Sequence, residues 1–277
     1  MKKFARTLEK IWLHPWLITP SGYEAVLRLI DSKLAQENLS VVTQMPPNRE
    51  EPILESDRYD KIAQITVSGI LGQRLSLLEN LCGGCDYLDI ASAIDDALAT
   101  GAEGILFIID SPGGMATGCP ECAARIAELD IPTVAFTDSI MASGAYYLAS
   151  GCDYLMASQS ADVGSIGVII PWVDKSKLWD KAGLSFEPIF SQGDSLKTTM
   201  YGPSLTAEQK EYLQQAVNDV AAAFQNHVSA FRTLDFPALK AGAYAGNRAL
   251  NFNLIDRIGS LTDAYNELSS RIQKTKA

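Results

Sequence analysis

The chain has 277 residues, 47% of them hydrophobic and 20% charged, which is the composition of a globular protein and not of a disordered or collagen-like one. Its formal net charge of −10 comes without a basic block, which argues against a nucleic-acid partner, because that needs clustered Lys and Arg. No apolar run reaches the ~18 residues of a membrane span.

The basic opening Met1–Arg6 is followed by Glu9, Lys10, His14, Pro15 and Pro20, with no continuous apolar stretch and no Ala-x-Ala cleavage site. The chain is therefore expected to be cytoplasmic and unanchored. Five cysteines, an odd number in a long chain, argue against a disulfide scaffold. Along the chain, Tyr23–Leu34 places Val26, Leu27, Ile30 and Leu34 at helical spacing, with Thr19 or Ser21 as cap. Gln44–Asp57, with Pro46, Pro47 and Pro52, reads as a linker. Residues 1–57 are thus expected to form a helical arm and linker, and residues 58–277 the main domain. In that domain Lys61–Val67 alternates as a strand, and Tyr87–Ala99 has helical periodicity. Gly104–Ile109 and Thr133–Phe136 read as strands buried on both faces. Further strands are expected at Tyr154–Met156, Ile166–Trp172 and Phe186–Phe190. Helices are expected at Met115–Leu129, Ala142–Ser150, Asp174–Ala182 and Thr206–Phe231. Strand and helix alternating in this way imply an α/β fold with a mostly parallel sheet.

Two turns stand out. In Asp110-Ser-Pro-Gly-Gly114 a buried strand runs into Pro112 and two glycines, which open a predicted helix. Glycines let backbone N–H groups turn toward a bound oxyanion, though a tight strand-to-helix turn has the same composition. In Asp138–Tyr147, Ser143 sits at a helix start with Gly144 and Ala145 leaving room around its hydroxyl. A cap serine would look alike, but both turns follow strands, where open α/β sheets place their sites. A serine nucleophile needs a base. The chain has two histidines. His14 belongs to the arm, and His227 lines up with Ala216, Val220, Phe224 and Phe231 as part of a packing stripe. A Ser-His-Asp triad is disfavoured. A lysine could act as base if burial lowers its pKa, but spacing alone does not say which one.

The motifs Asp110-Ser-Pro-Gly-Gly114, Met141-Ala-Ser-Gly-Ala-Tyr-Tyr-Leu148, Ala161-Asp-Val-Gly-Ser-Ile-Gly-Val168, Lys197 with Pro203 and Leu205-Thr206, and Gly246-Asn-Arg-Ala-Leu…Leu254-Ile-Asp-Arg-Ile-Gly259 occur in this order. From about Lys61 to Ala264 the chain resembles the signal peptide peptidase A (protease IV) family of Ser–Lys peptidases, which share the ClpP/crotonase-like fold. The arm, with Trp12-Leu-His-Pro-Trp-Leu-Ile-Thr-Pro-Ser-Gly, resembles the phage branch of capsid-assembly proteases of the minor capsid protein C type. The resemblance implies Ser143 as nucleophile, Lys197 as general base and Ser165 as the serine that orients the lysine. It implies Gly113 or Gly114 as oxyanion donor, with a second N–H from the nucleophile region. It also implies an acyl-enzyme, a homo-oligomeric ring, and peptide or protein substrates, with capsid or scaffold protein the candidates. Localisation would then be host cytoplasm or procapsid. Membrane-bound members carry an N-terminal span that this chain lacks, and Gly193-Asp-Ser-Leu-Lys197 departs from the Gly-x-Tyr-Lys pattern.

No cofactor, no metal and no nucleic acid are expected. Cys82-Gly-Gly-Cys85 and Cys119-Pro-Glu-Cys122 are read as buried hydrophobes and not as a zinc site. Asp110 is read as fixing loop geometry, and Tyr146 and Tyr147 as lining a groove or packing in the core. The alternatives are a signal-peptide-peptidase-like protease that degrades peptides, acyl-CoA chemistry on the same fold, and an inactive capsid-associated structural protein.

Overall fold

A computed structural model of the chain describes residues 14–35, 61–76, 79–80, 83–172, 174, 176–185, 189, 191–193, 196 and 204–276. The expected linker at 44–57 lies outside them, as does the expected strand at 186–190 apart from Ile189.

The arm opens with β1 (Trp16–Ile18) and continues as α1 (Pro20–Ala35). Thr19 is the cap, its hydroxyl accepting the Gly22 N–H at 3.1 Å. Of the expected apolar face, Val26 is buried and Leu27 half-buried, while the side chains of Ile30 and Leu34 lie outside the described residues.

The domain then repeats one unit: a long strand, a short strand and a helix. β2 (Ile62–Ser68) and β3 (Ile70–Gly72) are followed by β4 (Gly84–Asp86) and α2 (Tyr87–Ala99). β5 (Gly104–Asp110) and β6 (Gly113–Met115) lead to α3 (Cys119–Ala127). β7 (Thr133–Thr137) and β8 (Ile140–Ala142) lead to α4 (Gly144–Ser150). β9 (Tyr154–Ala157) and β10 (Asp162–Gly164) are followed by α5 (Ser176–Lys181) and the long α6 (Ala207–Phe231). The chain closes with α7 (Phe236–Leu239), β11 (Ala243–Ala245), α8 (Gly246–Asn251), β12 (Arg257–Ile258) and α9 (Leu261–Thr275).

The long strands form a five-stranded sheet of order β12-β9-β7-β5-β2, parallel throughout. The short strands form a second layer of two small sheets, β1-β6-β3-β4 and β11-β10-β8. This is the α/β, mostly parallel architecture with strand–helix repeats of the ClpP/crotonase-like type. β5 shows why its sequence is apolar without alternation. Ile105, Phe107 and Ile109 face the main core with α2 and α3, whereas Leu106 faces Leu268 and Ile272 of α9. At about 1.5–3 kcal/mol per fully buried aliphatic or aromatic side chain, covering both faces outweighs any benefit from one solvated face. Helix ends follow their sequence caps: Asp86 accepts the Leu88 N–H at the start of α2, and Thr206 with Gln209 makes a capping box on α6.

Two expected elements are corrected. The helix assigned to Met115–Leu129 begins at Cys119, because Gly113–Met115 is held extended between β1 and β3. The strand assigned to Ile166–Trp172 is absent; only Ile169 makes a bridge there, while Asp162–Gly164 pairs as β10 between β8 and β11.

Candidate active site

Ser143 follows the last residue of β8 and caps α4 with φ 54° and ψ −118°, a backbone conformation rarely adopted by a residue with a Cβ. It is fully buried. Its N–H donates to the Gly164 carbonyl at 2.7 Å. That bond extends the parallel register of β8 and β10, which pairs Ala142 with Gly164, and it brings Ser143 beside Ser165, the next residue on that strand. Ser165 is also buried and also has φ 54°; its N–H donates to the Gly242 carbonyl at 2.8 Å. Among the described residues, six non-glycine positions have positive φ: Arg74, Ser143, Ser165, Lys240, Ala241 and Asn253. The other four are exposed turn residues, so only the two neighbouring serines carry this distortion in the interior. The Ser143 hydroxyl has a long contact of 3.5 Å to the Gly167 carbonyl.

The Asp110-Ser-Pro-Gly-Gly114 turn lies against the same point. Ser111, fully buried, donates its hydroxyl to the Gly69 carbonyl at 2.6 Å and accepts the Gly113 N–H at 3.2 Å. Ser111 is thus the side chain that fixes this turn, and sequence reasoning had assigned that role to Asp110. A Cβ on Gly113, at φ 97°, would lie 2.1 Å from the Leu17 carbonyl oxygen and 2.8 Å from the Gly144 nitrogen. A Cβ on Gly144 would lie 3.1 Å from the Leu17 oxygen and 3.4 Å from the Gly114 nitrogen. The nitrogens of Gly114 and Gly144 and one carbonyl oxygen of β1 therefore converge next to Ser143.

Lys197 lies outside the described residues. Among the described residues on either side of it in sequence, the Ser204 hydroxyl donates to Asp174 at 2.5 Å. Hydroxyl and backbone donors from Ser176 and Ser204 pull the Asp174 carboxyl down to about 2. All described lysine side chains are exposed.

His227 is where the packing stripe put it. Its ring stacks on Tyr147 at 4.4 Å and tilts against Phe231 at 5.1 Å. Burial lowers its pKa, opposed by a hydrogen bond to the Tyr147 backbone, and its Nε2 has no partner among the described residues. Tyr146 and Tyr147 are both core residues. Tyr146 donates its hydroxyl to the Leu254 carbonyl at 2.9 Å, and Tyr147 stacks on Phe224 at 4.7 Å. Cys119 and Cys122 belong to the main core, and burial pushes the Cys85 and Cys122 thiols up to about 12. Cys82 lies outside the described residues, and among those described no group of His, Cys, Asp or Glu gathers as metal ligands. None of the described helices is long and apolar enough to cross a membrane.

The chain is similar to several known proteins. A protein of Enterococcus faecium named as a signal peptide peptidase SppA is 31% identical over 82% of this chain and 68% of its own length. Capsid assembly protease C of Escherichia phage lambda is 29% identical over 78% of this chain, and head-tail preconnector protein GP5 of Enterobacteria phage P21 is 28% identical over 76%. The chain spans only 50% and 43% of those two phage proteins, respectively. Among solved structures, a membrane-bound stomatin-specific protease in complex with a substrate peptide aligns at 18% identity over 76% of this chain and 78% of that one, with a TM-score of 0.39. Residues 126–274 match the description of peptidase family S49. The chain belongs to peptidase family S49.

Proposed function

We propose that the chain is a serine endopeptidase in which Ser143 is the nucleophile and Lys197 the general base, acting on phage or prophage capsid or scaffold protein. The observation that carries this reading is the buried, backbone-distorted Ser143 packed against the Gly113-Gly114 turn. Neutral Lys197 takes the Ser143 hydroxyl proton while Oγ bonds to the peptide carbonyl carbon. The resulting oxyanion is met by the N–H groups of Gly114 and Gly144; the Gly113 N–H is already held by Ser111. The C–N bond then breaks, Lys197 returns the proton to the leaving amine, and water hydrolyses the ester by the same proton route. Ser165 orients the lysine.

Two further points support a lysine outside the described residues as base. Ser143 is fully buried, whereas all described lysine side chains are exposed on the surface. His227 is engaged with the Tyr147 backbone, on the far residue of the first turn of α4 from Ser143. For assembly, α6 has only Phe224 and Val228 buried and leaves Tyr212 and Phe231 exposed, which suits contact with further copies in a ring.

The test is co-expression with a capsid or scaffold protein of the same phage or prophage, read by mass spectrometry. Wild type should cut the partner. Ser143→Ala should not, and Lys197→Ala should slow cutting by about 100-fold or more, the usual contribution of a general base. Equal processing by all three proteins would overturn the assignment.

A further inference from the structure

β1 lies where a substrate strand would have to lie. It pairs antiparallel with β6, in the register Trp16–Met115, Leu17–Gly114 and Ile18–Gly113. The flanking bonds, Thr19 N–H to the Pro112 carbonyl at 3.0 Å and Ala116 N–H to the Pro15 carbonyl at 3.2 Å, make Leu17–Gly114 the hydrogen-bonded pair of this ladder. The Gly114 N–H therefore faces the Leu17 carbonyl, whose oxygen is also the atom crowding the Gly113–Gly144 contact. On the opposite edge, Trp16 N–H donates to the Ile169 carbonyl at 2.8 Å and Ile169 N–H to the Trp16 carbonyl at 3.1 Å. The strand is thus gripped on both edges by backbone, the way extended peptides are bound by β-addition. The Leu17 side chain is fully buried in the main core.

We infer that β1 is a substrate-like occupant of the chain's own active site, with Leu17 in the position of the residue before the scissile bond and Ile18 after it. This rests on the assignment of Ser143 as nucleophile. Two consequences follow. Exogenous substrate binds as an antiparallel strand on β6, with an apolar residue of leucine size ahead of the cleaved bond. It must also displace β1, a competitor within the same chain, where effective concentrations are commonly on the order of mM. Outside the groove, β1 is held by packing of Trp16 and Ile18 with Tyr23 and Val26 of α1 and with Met115. Trp16 makes an edge-to-face contact with Tyr23 at 5.8 Å. Trp16→Gly therefore loosens β1 while leaving Ser143, the glycine turn and Leu17 unsubstituted.

The test compares full-length wild type with Trp16→Gly. Labelling of Ser143 by a fluorophosphonate should be about tenfold faster in Trp16→Gly if β1 fills the groove roughly nine-tenths of the time. Peptides with Leu before the scissile bond should be cut at least about tenfold better than those with Asp. In wild type, a tripeptide aldehyde ending in leucinal should accelerate hydrogen exchange at the Leu17 amide as it expels β1. Equal labelling rates in the two proteins, or Leu17 protection unchanged when the aldehyde inhibits, would overturn the inference and leave Ser143 standing. No labelling of Ser143 in either protein would instead remove the nucleophile itself.

Discussion

The backbone at Ser143 makes a prediction whose sign is opposite to the ordinary one. A residue with a Cβ held at φ 54° and ψ −118° lies in a sparsely populated region, at a cost of about 1–3 kcal/mol. Glycine visits positive φ without that cost, but replacing alanine by glycine at an unstrained position loses about 0.4–1 kcal/mol through the entropy of the unfolded chain. Ser143→Ala and Ser143→Gly both delete the hydroxyl, with its long contact to Gly167, so comparing them cancels its loss. Strain relief minus the entropy term leaves Ser143→Gly more stable than Ser143→Ala by about 1 kcal/mol, where an unstrained site would make it less stable by roughly that amount. Urea unfolding of the two inactive variants, followed by circular dichroism and compared at equal m values, separates the cases through their midpoints. If Ser143→Gly unfolds at lower urea than Ser143→Ala, the serine is not strained, and the argument from its backbone to its function fails.

Two more predictions concern positions around the site. A Cβ on Gly114 would lie 1.9 Å from the Leu71 carbonyl oxygen, a backbone atom that cannot swing aside, whereas a Cβ on Gly101, at φ 82°, meets nothing within 4 Å. Gly114→Ala should therefore cost at least about 3 kcal/mol or prevent folding, and Gly101→Ala only about 1 kcal/mol, as thermal and urea unfolding would show. The folded pKa of His227 is depressed below 6.5 by burial, so unfolding takes up a proton as pH falls below that value. Its contribution to stability is present above pH 6.5 and declines below it; His227→Phe, which keeps the ring stack on Tyr147, should flatten that part of the stability–pH curve. An unchanged slope would mean that the imidazole titrates in the folded protein as it does in the unfolded chain.

The long elements were legible because each carries its own signal. The bounds of α2 are those read from the sequence, since Asp86 caps its start and the chain leaves the helix at Thr100 before Gly101. β5 and β7 were legible as continuous apolar runs. The strands β1, β6, β8 and β10 have three residues each, too few for periodicity, and each is extended only because a partner distant in sequence pairs with it. Gly113–Met115 illustrates this: its composition fits a turn into a helix, and pairing with Trp16–Ile18 makes it a strand. The same long-range pairing hid the role of β1, because nothing within Trp16-Leu17-Ile18 signals that a glycine turn almost a hundred residues later will lie beside it.

What the fold does with these short strands explains why the site stands at their ends. β6 begins at Gly113 with φ 97°, β8 runs into Ser143, and β10 ends at Gly164 with φ 118° and runs into Ser165. Each short strand thus borders a residue whose backbone has turned out of the extended conformation, and all three reversals fall in the layer above the parallel sheet. A reversal lets a backbone N–H leave its ladder and face a common point, and glycine is required where another backbone already occupies the space of a Cβ, as at Gly113 and Gly114. At Ser143 the side chain is retained against that preference. Glycine would fit the conformation better and would carry no hydroxyl, so a serine there at a cost in stability is what the proposed nucleophile role requires. The sequence motif around Ser143 and the backbone beneath it both support the proposed nucleophile.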